Sequence, residues 1–236
     1  MTDNGKKILL IFPNFYLYDK FSGIPHQPSL SLAYLAAMVK KNTSHNVKII
    51  DAAAERLNYE QILKRIGSFN PDIIGITTNV SIAYAALCLS AIINLKNRNI
   101  KIVMGGPWAS AEYEYILNNK FAEIVVIGEG EYTFLELLEI KDFNDENLKE
   151  IKGIAFNSKR NSIIITPSRG NILKLEELPI PQWEQFPKKR YTRSTREKMS
   201  FPVQTSRGCP YQCINCTKII HGTKFRYRPI SHVISE

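Results

Sequence analysis

No stretch of this 236-residue chain stays apolar for long enough to cross a bilayer. The run Ile8 to Phe12 is strand-length, well short of the roughly 20 residues a spanning helix needs. No apolar stretch leads into a small-residue cleavage site either, so a soluble, cytoplasmic protein is expected. Cysteine is scarce: of four residues, Cys209, Cys213 and Cys216 lie within eight positions. That is not the disulfide framework of a secreted domain, and a reducing compartment fits it better. Acidic residues are missing from one region. Residues 188–228 hold 11 Lys and Arg against Glu197 alone, whereas residues 1–187 balance at 20 against 20, and Glu236 brings the total to +9. Such a basic segment attracts nucleic acid, phosphates or an anionic cofactor, or else its acidic neighbours lie on a missing part of the fold or on a partner. With 44% hydrophobic residues the chain has ample material for a buried core.

What is present is a regular alternation. Short β-branched runs, Lys7 to Pro13, Val47 to Asp51, Asp72 to Thr77, Lys101 to Met104 and Ile124 to Ile127, read as strands. Helical stretches follow them at Ser29 to Lys41, Tyr59 to Phe69, Ser81 to Asn97, Ala109 to Asn118 and Glu131 to Ile140. Five β-α units in series predict a doubly wound α/β fold with a five-stranded parallel sheet over residues 1–140. Ligands of such sheets bind beyond the carboxyl ends of the strands, at the topological switch point.

The loops at that edge carry unusual residues. The third strand runs into Thr77, Thr78, Asn79 and Ser81, a cluster of hydroxyls and an amide where a helix begins. Gly105, Gly106 and Pro107 follow the fourth, two glycines that let a flat or bulky group approach the backbone and a proline suited to a helix start. Gly128, Glu129 and Gly130 follow the fifth. Each loop alone reads as a turn with an N-cap. Three on one edge of one sheet point to a ligand.

The segments PSLSLAYLAAMV, VKIIDA, PDIIGITTNVSIAYAA, IKIVMGGPWASA and IVVIGEGEYTFLELL resemble the cobalamin (B12)-binding domain that precedes the catalytic domain of many radical S-adenosylmethionine (SAM) enzymes. The likeness covers roughly residues 6 to 140 and implies a flavodoxin-like fold with cobalamin held by the loop residues just named. The wider family carries D-x-H-x-x-G after the first strand, then S-x-L and G-G. Here Gly105-Gly106 matches the last and TTN stands in the S-x-L place. D-x-H-x-x-G is absent, and His26 in that loop reads as an ordinary loop residue. The resemblance therefore implies cobalamin without a protein histidine on cobalt.

Residues 141–200 read as a linker. It has a polar connection (KDFNDENLKE), a hairpin pairing Ile154 to Phe156 with Ser162 to Thr166, and a stretch in which Pro179, Pro181 and Pro187 forbid a long helix. Trp183 and Phe186 are its expected anchors.

After a strand at FPVQTS come the three clustered cysteines, spaced C-x3-C-x2-C. Two chemistries compete for such thiolates. A structural zinc site wants four ligands, and His221 is a candidate fourth. An iron-sulfur cluster on three thiolates leaves one iron open. The spacing and its context, SRGCPYQC with GTKFRYR downstream, resemble the opening β-loop-α unit of a radical SAM partial barrel, here residues 201–236. That resemblance implies a 4Fe-4S cluster on Cys209, Cys213 and Cys216 with SAM on the open iron. It also implies an electron donor such as flavodoxin or ferredoxin, a small-molecule or peptide substrate, and methyl transfer of the class B type. The residue before the third cysteine, usually an aromatic against the adenine of SAM, is Asn215 here, with Tyr211 as a partial substitute. Arg207, Lys218 and Arg226 read either as partners of an anionic cluster or of the SAM carboxylate, or as solvated charges. Cys88 reads as a buried small hydrophobe. Only about 20 residues follow Cys216, so the barrel is expected to be incomplete, as in a truncated or split gene product, a fragment, or a chain completed by a second one. The alternatives carried forward are a non-catalytic cobalamin or metal module with structural zinc, and a nucleic-acid-binding protein acting in RNA modification.

Overall fold

A computed structural model of the chain describes residues 5–15, 27–191 and 200–236. His26 lies outside them. The first five strands, β1 (Lys7–Phe12), β2 (Asn46–Asp51), β3 (Ile73–Thr77), β4 (Lys101–Gly105) and β5 (Ile124–Val126), pair in parallel in the order β2-β1-β3-β4-β5. The chain order reverses between β1 and β3, and the switch point lies there.

Each strand is apolar on both sides because both faces of the sheet are covered. Leu9 and Ile11 of β1, Ile74 and Ile76 of β3 and Met104 of β4 enter one core, with α2 (Tyr59–Phe69), α3 (Ala83–Lys96), α4 (Pro107–Ala111) and α5 (Tyr113–Asn118). Ile8, Leu10, Ile73 and Val103 enter the other, with α1 (Leu30–Asn42) and α6 (Glu131–Glu139). The helix expected over Ala109 to Asn118 is two helices. Glu112, with φ −110° and ψ 28°, closes α4 and opens α5, and Pro107 stands in the first turn of α4.

The sheet has seven strands, not five. The hairpin assigned to the linker forms β6 (Ile154–Asn157) and β7 (Ile163–Ile165), and β6 pairs antiparallel with β5. Ile154, Ala155 and Phe156 are fully buried, so the hairpin finishes the core instead of bridging two units. A further helix, α7 (Asp145–Glu150), occupies the polar connection, its Asn144 cap accepting from the Asn147 N–H. It buries Leu148 as its one core contact, too thin an apolar pattern to show in sequence.

The proline-spaced stretch lies against the domain. Leu175 and Leu178 pack on Tyr34 and Met38 of α1, and Phe186 and Tyr191 enter the α1/α6 core with half-buried Trp183 beside them. The Tyr191 hydroxyl donates to Asp51 at 2.5 Å, fixing the stretch to the end of β2. Of the strand expected at FPVQTS, only β8 (Ser206–Arg207) forms. It pairs antiparallel with β9 (Arg226–Tyr227), and α8 (Ile230–Ser235) follows. The cysteine loop lies between β8 and β9, and α8 comes after β9.

Candidate functional site

A cavity of about 680 Å³ opens at the carboxyl ends of the parallel strands. Its floor is the switch-point edge: Thr77, Thr78 and Asn79 after β3, Gly105, Gly106 and Pro107 after β4, and Gly128, Glu129 and Gly130 after β5. Cys209, Cys216, Lys218 and His221 of the C-terminal segment line it from the other side. Ser81, Tyr211, Cys213 and Asn215 do not line it. Ser29, Ser31 and Tyr34 of the first helical segment do, and were not singled out from the sequence. Their signal was available in PSLSLAYL, where Ser29 caps α1 by accepting from the Leu32 N–H.

Several of the loop polar groups are spent on the loops themselves. Thr78 is buried; its hydroxyl donates to the Gly105 carbonyl at 3.0 Å and accepts from the Ala109 N–H at 2.9 Å, stitching the β3 and β4 loops together. Asn79 Oδ1 accepts from the N–H groups of Ser81 and Ile82, so it initiates α3 two residues later than the sequence suggested. Gly106 has φ +103°, and a Cβ there would sit 2.3 Å from the Thr78 carbonyl oxygen. What comes close to Gly106 is therefore a neighbouring loop. Gly128 differs: at φ +82° a Cβ would meet nothing within 4 Å, so its bare backbone faces open space. Its N–H donates to Ser110 Oγ at 3.1 Å.

Glu129 is the most heavily engaged residue at this edge. Its fully buried carboxylate accepts from Arg226 through Oε2 at 3.0 Å and Oε1 at 2.8 Å, and from the Ile172 N–H at 2.6 Å. His221 Nδ1 lies 2.7 Å from Oε1. Burial pushes this carboxyl up, but the hydrogen bonds from His221, Arg226 and Ile172, together with the Arg207 charge, outweigh it and bring the pKa to about 2. Arg207 Nη2 donates to Glu131 at 2.5 Å, and its guanidinium lies 5.4 Å from the Tyr34 ring centroid. Arg228 donates to the Tyr34 hydroxyl at 3.2 Å and pairs with Glu236.

These contacts settle the reading of three arginines of the basic segment. Arg207, Arg226 and Arg228 are each 4% exposed, so they are neither solvated nor a surface for an anionic polymer. Their acidic counterparts are Glu129, Glu131 and Glu236 of the same chain. His221, the candidate fourth zinc ligand, is turned by Nδ1 towards Glu129. Cys88 is half-buried on α3.

Cys209, Cys213 and Cys216 are exposed. Among the described residues no three His, Cys, Asp or Glu side chains converge in a metal-holding group. The loop is nonetheless anchored, the Cys209 N–H donating to the Gly222 carbonyl at 3.3 Å and the Cys216 N–H to the Cys213 carbonyl at 3.1 Å. Three soft thiols on an open, anchored loop suit iron or zinc by donor chemistry. A large, mainly apolar cavity with bare glycine backbone on its floor suits a bulky planar ligand.

The fold and the cavity define a doubly wound ligand-binding domain to which a cysteine-bearing segment is attached. Residues 25–138 match the family model of the B12 binding domain. Across 233 residues the chain is 36% identical to an uncharacterized methyltransferase, PH0819, of Pyrococcus horikoshii, covering 98% of this chain and 49% of that protein. It is 27% identical over 236 residues to the anaerobic magnesium-protoporphyrin IX monomethyl ester cyclase of Rubrivivax gelatinosus, covering 98% of this chain and 42% of the cyclase. Among solved structures, the cobalamin-dependent SAM radical enzyme OxsB with aqua-cobalamin bound superposes with a TM-score of 0.81 at 21% identity, over 98% of this chain and 31% of OxsB. The radical SAM methyltransferase TsrM of Kitasatospora setae, with cobalamin and a 4Fe-4S cluster bound, gives 0.67 at 19%, over 98% of this chain and 45% of TsrM. These last two likenesses establish the fold. The chain thus carries a match to the B12 binding domain over residues 25–138 followed by a C-terminal segment, is similar over nearly its whole length to an uncharacterized methyltransferase, and spans about half the length of the curated relatives it matches.

Proposed function

We propose that this chain is the cobalamin- and cluster-bearing part of a radical SAM enzyme that transfers a methyl group, or performs a related radical reaction, at an unactivated carbon. One observation carries the reading: the loops of the B12-binding domain and two of the three clustered cysteines line the same cavity. Radical methyl transfer needs its two cofactors close to one substrate, and a shared cavity provides that. Cobalamin would lie on the floor formed by Thr77, Gly105, Gly106 and Gly128, and Cys209, Cys213 and Cys216 would hold the cluster. When bound, the cluster and SAM supply a hydrogen-abstracting radical and cobalamin supplies the methyl group. The chain's own residues position and exclude. Thr78 and Gly106 lock the floor loops together, Glu129 and Arg226 hold the cysteine segment over them, and the apolar walls keep water from the reacting groups.

Anaerobic purification followed by iron, sulfide and absorbance measurement tests the cluster. About four irons and four sulfides per chain, lost in Cys213→Ala, are expected; a colourless protein with one zinc overturns the reading. Hydroxocobalamin titration tests the cavity. Ser31→Trp, which fills the mouth without touching the Thr78–Gly106 contact, is expected to abolish the absorbance shift. An unchanged shift would place cobalamin elsewhere.

A further inference from the structure

The Glu129 carboxylate joins three segments that are distant in sequence. It is rooted in the loop after β5, and it holds the Ile172 N–H of the linker, Arg226 of β9 and His221 beyond the cysteines. Arg207, two residues before Cys209, bonds Glu131 at the start of α6 and sits 3.6 Å from Glu129 Oε1 through a buried Nη1 that has no hydrogen-bond partner among the described residues. Both ends of the hairpin that carries the thiols, Arg207 on β8 and Arg226 on β9, therefore grip one short loop. That loop also supplies Gly128, whose bare backbone faces open space at the cavity floor.

A carboxylate needed only for folding would not have to stand here. The partners of Glu129 are the roots of the cysteine loop, and the neighbours of Glu129 are the floor of the cavity. We propose that Glu129 is a positioning residue that couples the two cofactor sites, so that a ligand settling against the Gly128 loop is felt, through Arg226 and Arg207, at Cys209, Cys213 and Cys216. This rests on the proposed occupation of the floor by cobalamin. The coupling runs through one ion-paired cluster with well-defined bonds, so it can be cut by a change of a single atom type.

The test uses the full chain without cluster and reads alkylation of each cysteine by iodoacetamide, resolved by peptide mass spectrometry, with and without hydroxocobalamin. Cobalamin binding is followed separately by absorbance, and Cys88 on α3 serves as an internal standard. In the wild type, bound cobalamin is expected to slow alkylation of the three clustered thiols several-fold and leave Cys88 unchanged. Glu129→Gln, compared at saturating hydroxocobalamin, is expected to lose that protection; direct shielding by the ligand would survive the substitution. Arg226→Lys, which keeps the charge and removes the fork, is expected to lose most of it. Glu136→Gln, at the surface pair with Arg169, is expected to change nothing. Full protection retained in folded Glu129→Gln and Arg226→Lys overturns the proposal, as does a wild type that binds cobalamin with unchanged thiol rates. If the wild type shows no absorbance change, the cofactor reading fails instead. The unliganded comparison still decides the hold: faster alkylation in Glu129→Gln than in wild type supports it, and equal rates overturn it.

Discussion

Glu129 and Gly106 show how single positions at one sheet edge serve different ends. Glu129 was expected to touch a ligand, yet its carboxylate faces arginines, and its low pKa follows from them. A carboxyl near 4.3–4.5 when unfolded and about 2 when folded contributes stability that is complete above the unfolded value. That contribution is lost as pH falls through the folded value. Urea midpoints of the wild type are therefore expected to fall between pH 4.5 and pH 2 more steeply than those of Glu129→Gln. At neutral pH, Glu129→Ala leaves Arg226 buried without its partner and is expected to cost on the order of 3–5 kcal/mol. Gly106→Ala places a Cβ against the Thr78 carbonyl at a left-handed backbone position. Its expected cost, measured by the same unfolding, is more than about 1 kcal/mol. The role of Glu129 left no mark in GEGE, because its partners stand 43 to 97 residues away.

Elements were legible where their pattern was long and local. The strands β1 to β5 showed as β-branched runs, and α2 shows a capping box in the sequence itself, Asn58 and Gln61 exchanging hydrogen bonds of 2.9 Å. Asn58→Ala is expected to destabilise by about 1 kcal/mol and to leave cobalamin titration unchanged, since α2 begins away from the cavity. Elements were missed where tertiary contact decides them. The six-residue α7 buries Leu148 as its core contact, and the two-residue β8 pairs with β9 where Arg207 and Arg226 are held by acidic partners. The proline-spaced stretch was read as a connection. One of its ties to the domain is the hydrogen bond from Tyr191 to Asp51, where burial raises the pKa of the carboxyl and of the phenol alike. Tyr191→Phe is expected to cost about 1–3 kcal/mol by leaving a buried acceptor short of a donor, seen as a lower urea midpoint.

At the scale of the molecule, the hairpin, the proline-spaced stretch and the cysteine segment are parts of one packed body built on the sheet. Trp108 reports on one face and Trp183 on the other. Trp108→Phe and Trp183→Phe, each leaving a single reporter, are expected to give fluorescence transitions in urea that coincide with each other and with far-UV circular dichroism. Separated midpoints would show that the two faces unfold independently.

The sequence alone determined the alternating α/β layout, the edge of the sheet that carries the site, the loops after β3, β4 and β5, and the metal-capable spacing of the three cysteines. These are local: strand runs, caps, glycines and thiol spacing act over a few residues, and periodicity reports them. Tertiary structure alone decided that the hairpin closes the sheet. It also decided that Thr78 and Gly106 serve each other, and that three arginines of the basic segment, Arg207, Arg226 and Arg228, are paired from within by Glu131, Glu129 and Glu236. The physical reason is charge burial. An arginine is written identically in a solvated tail and in a buried ion pair, and only the packing that removes water from Arg207 and Arg226 makes their partners obligatory.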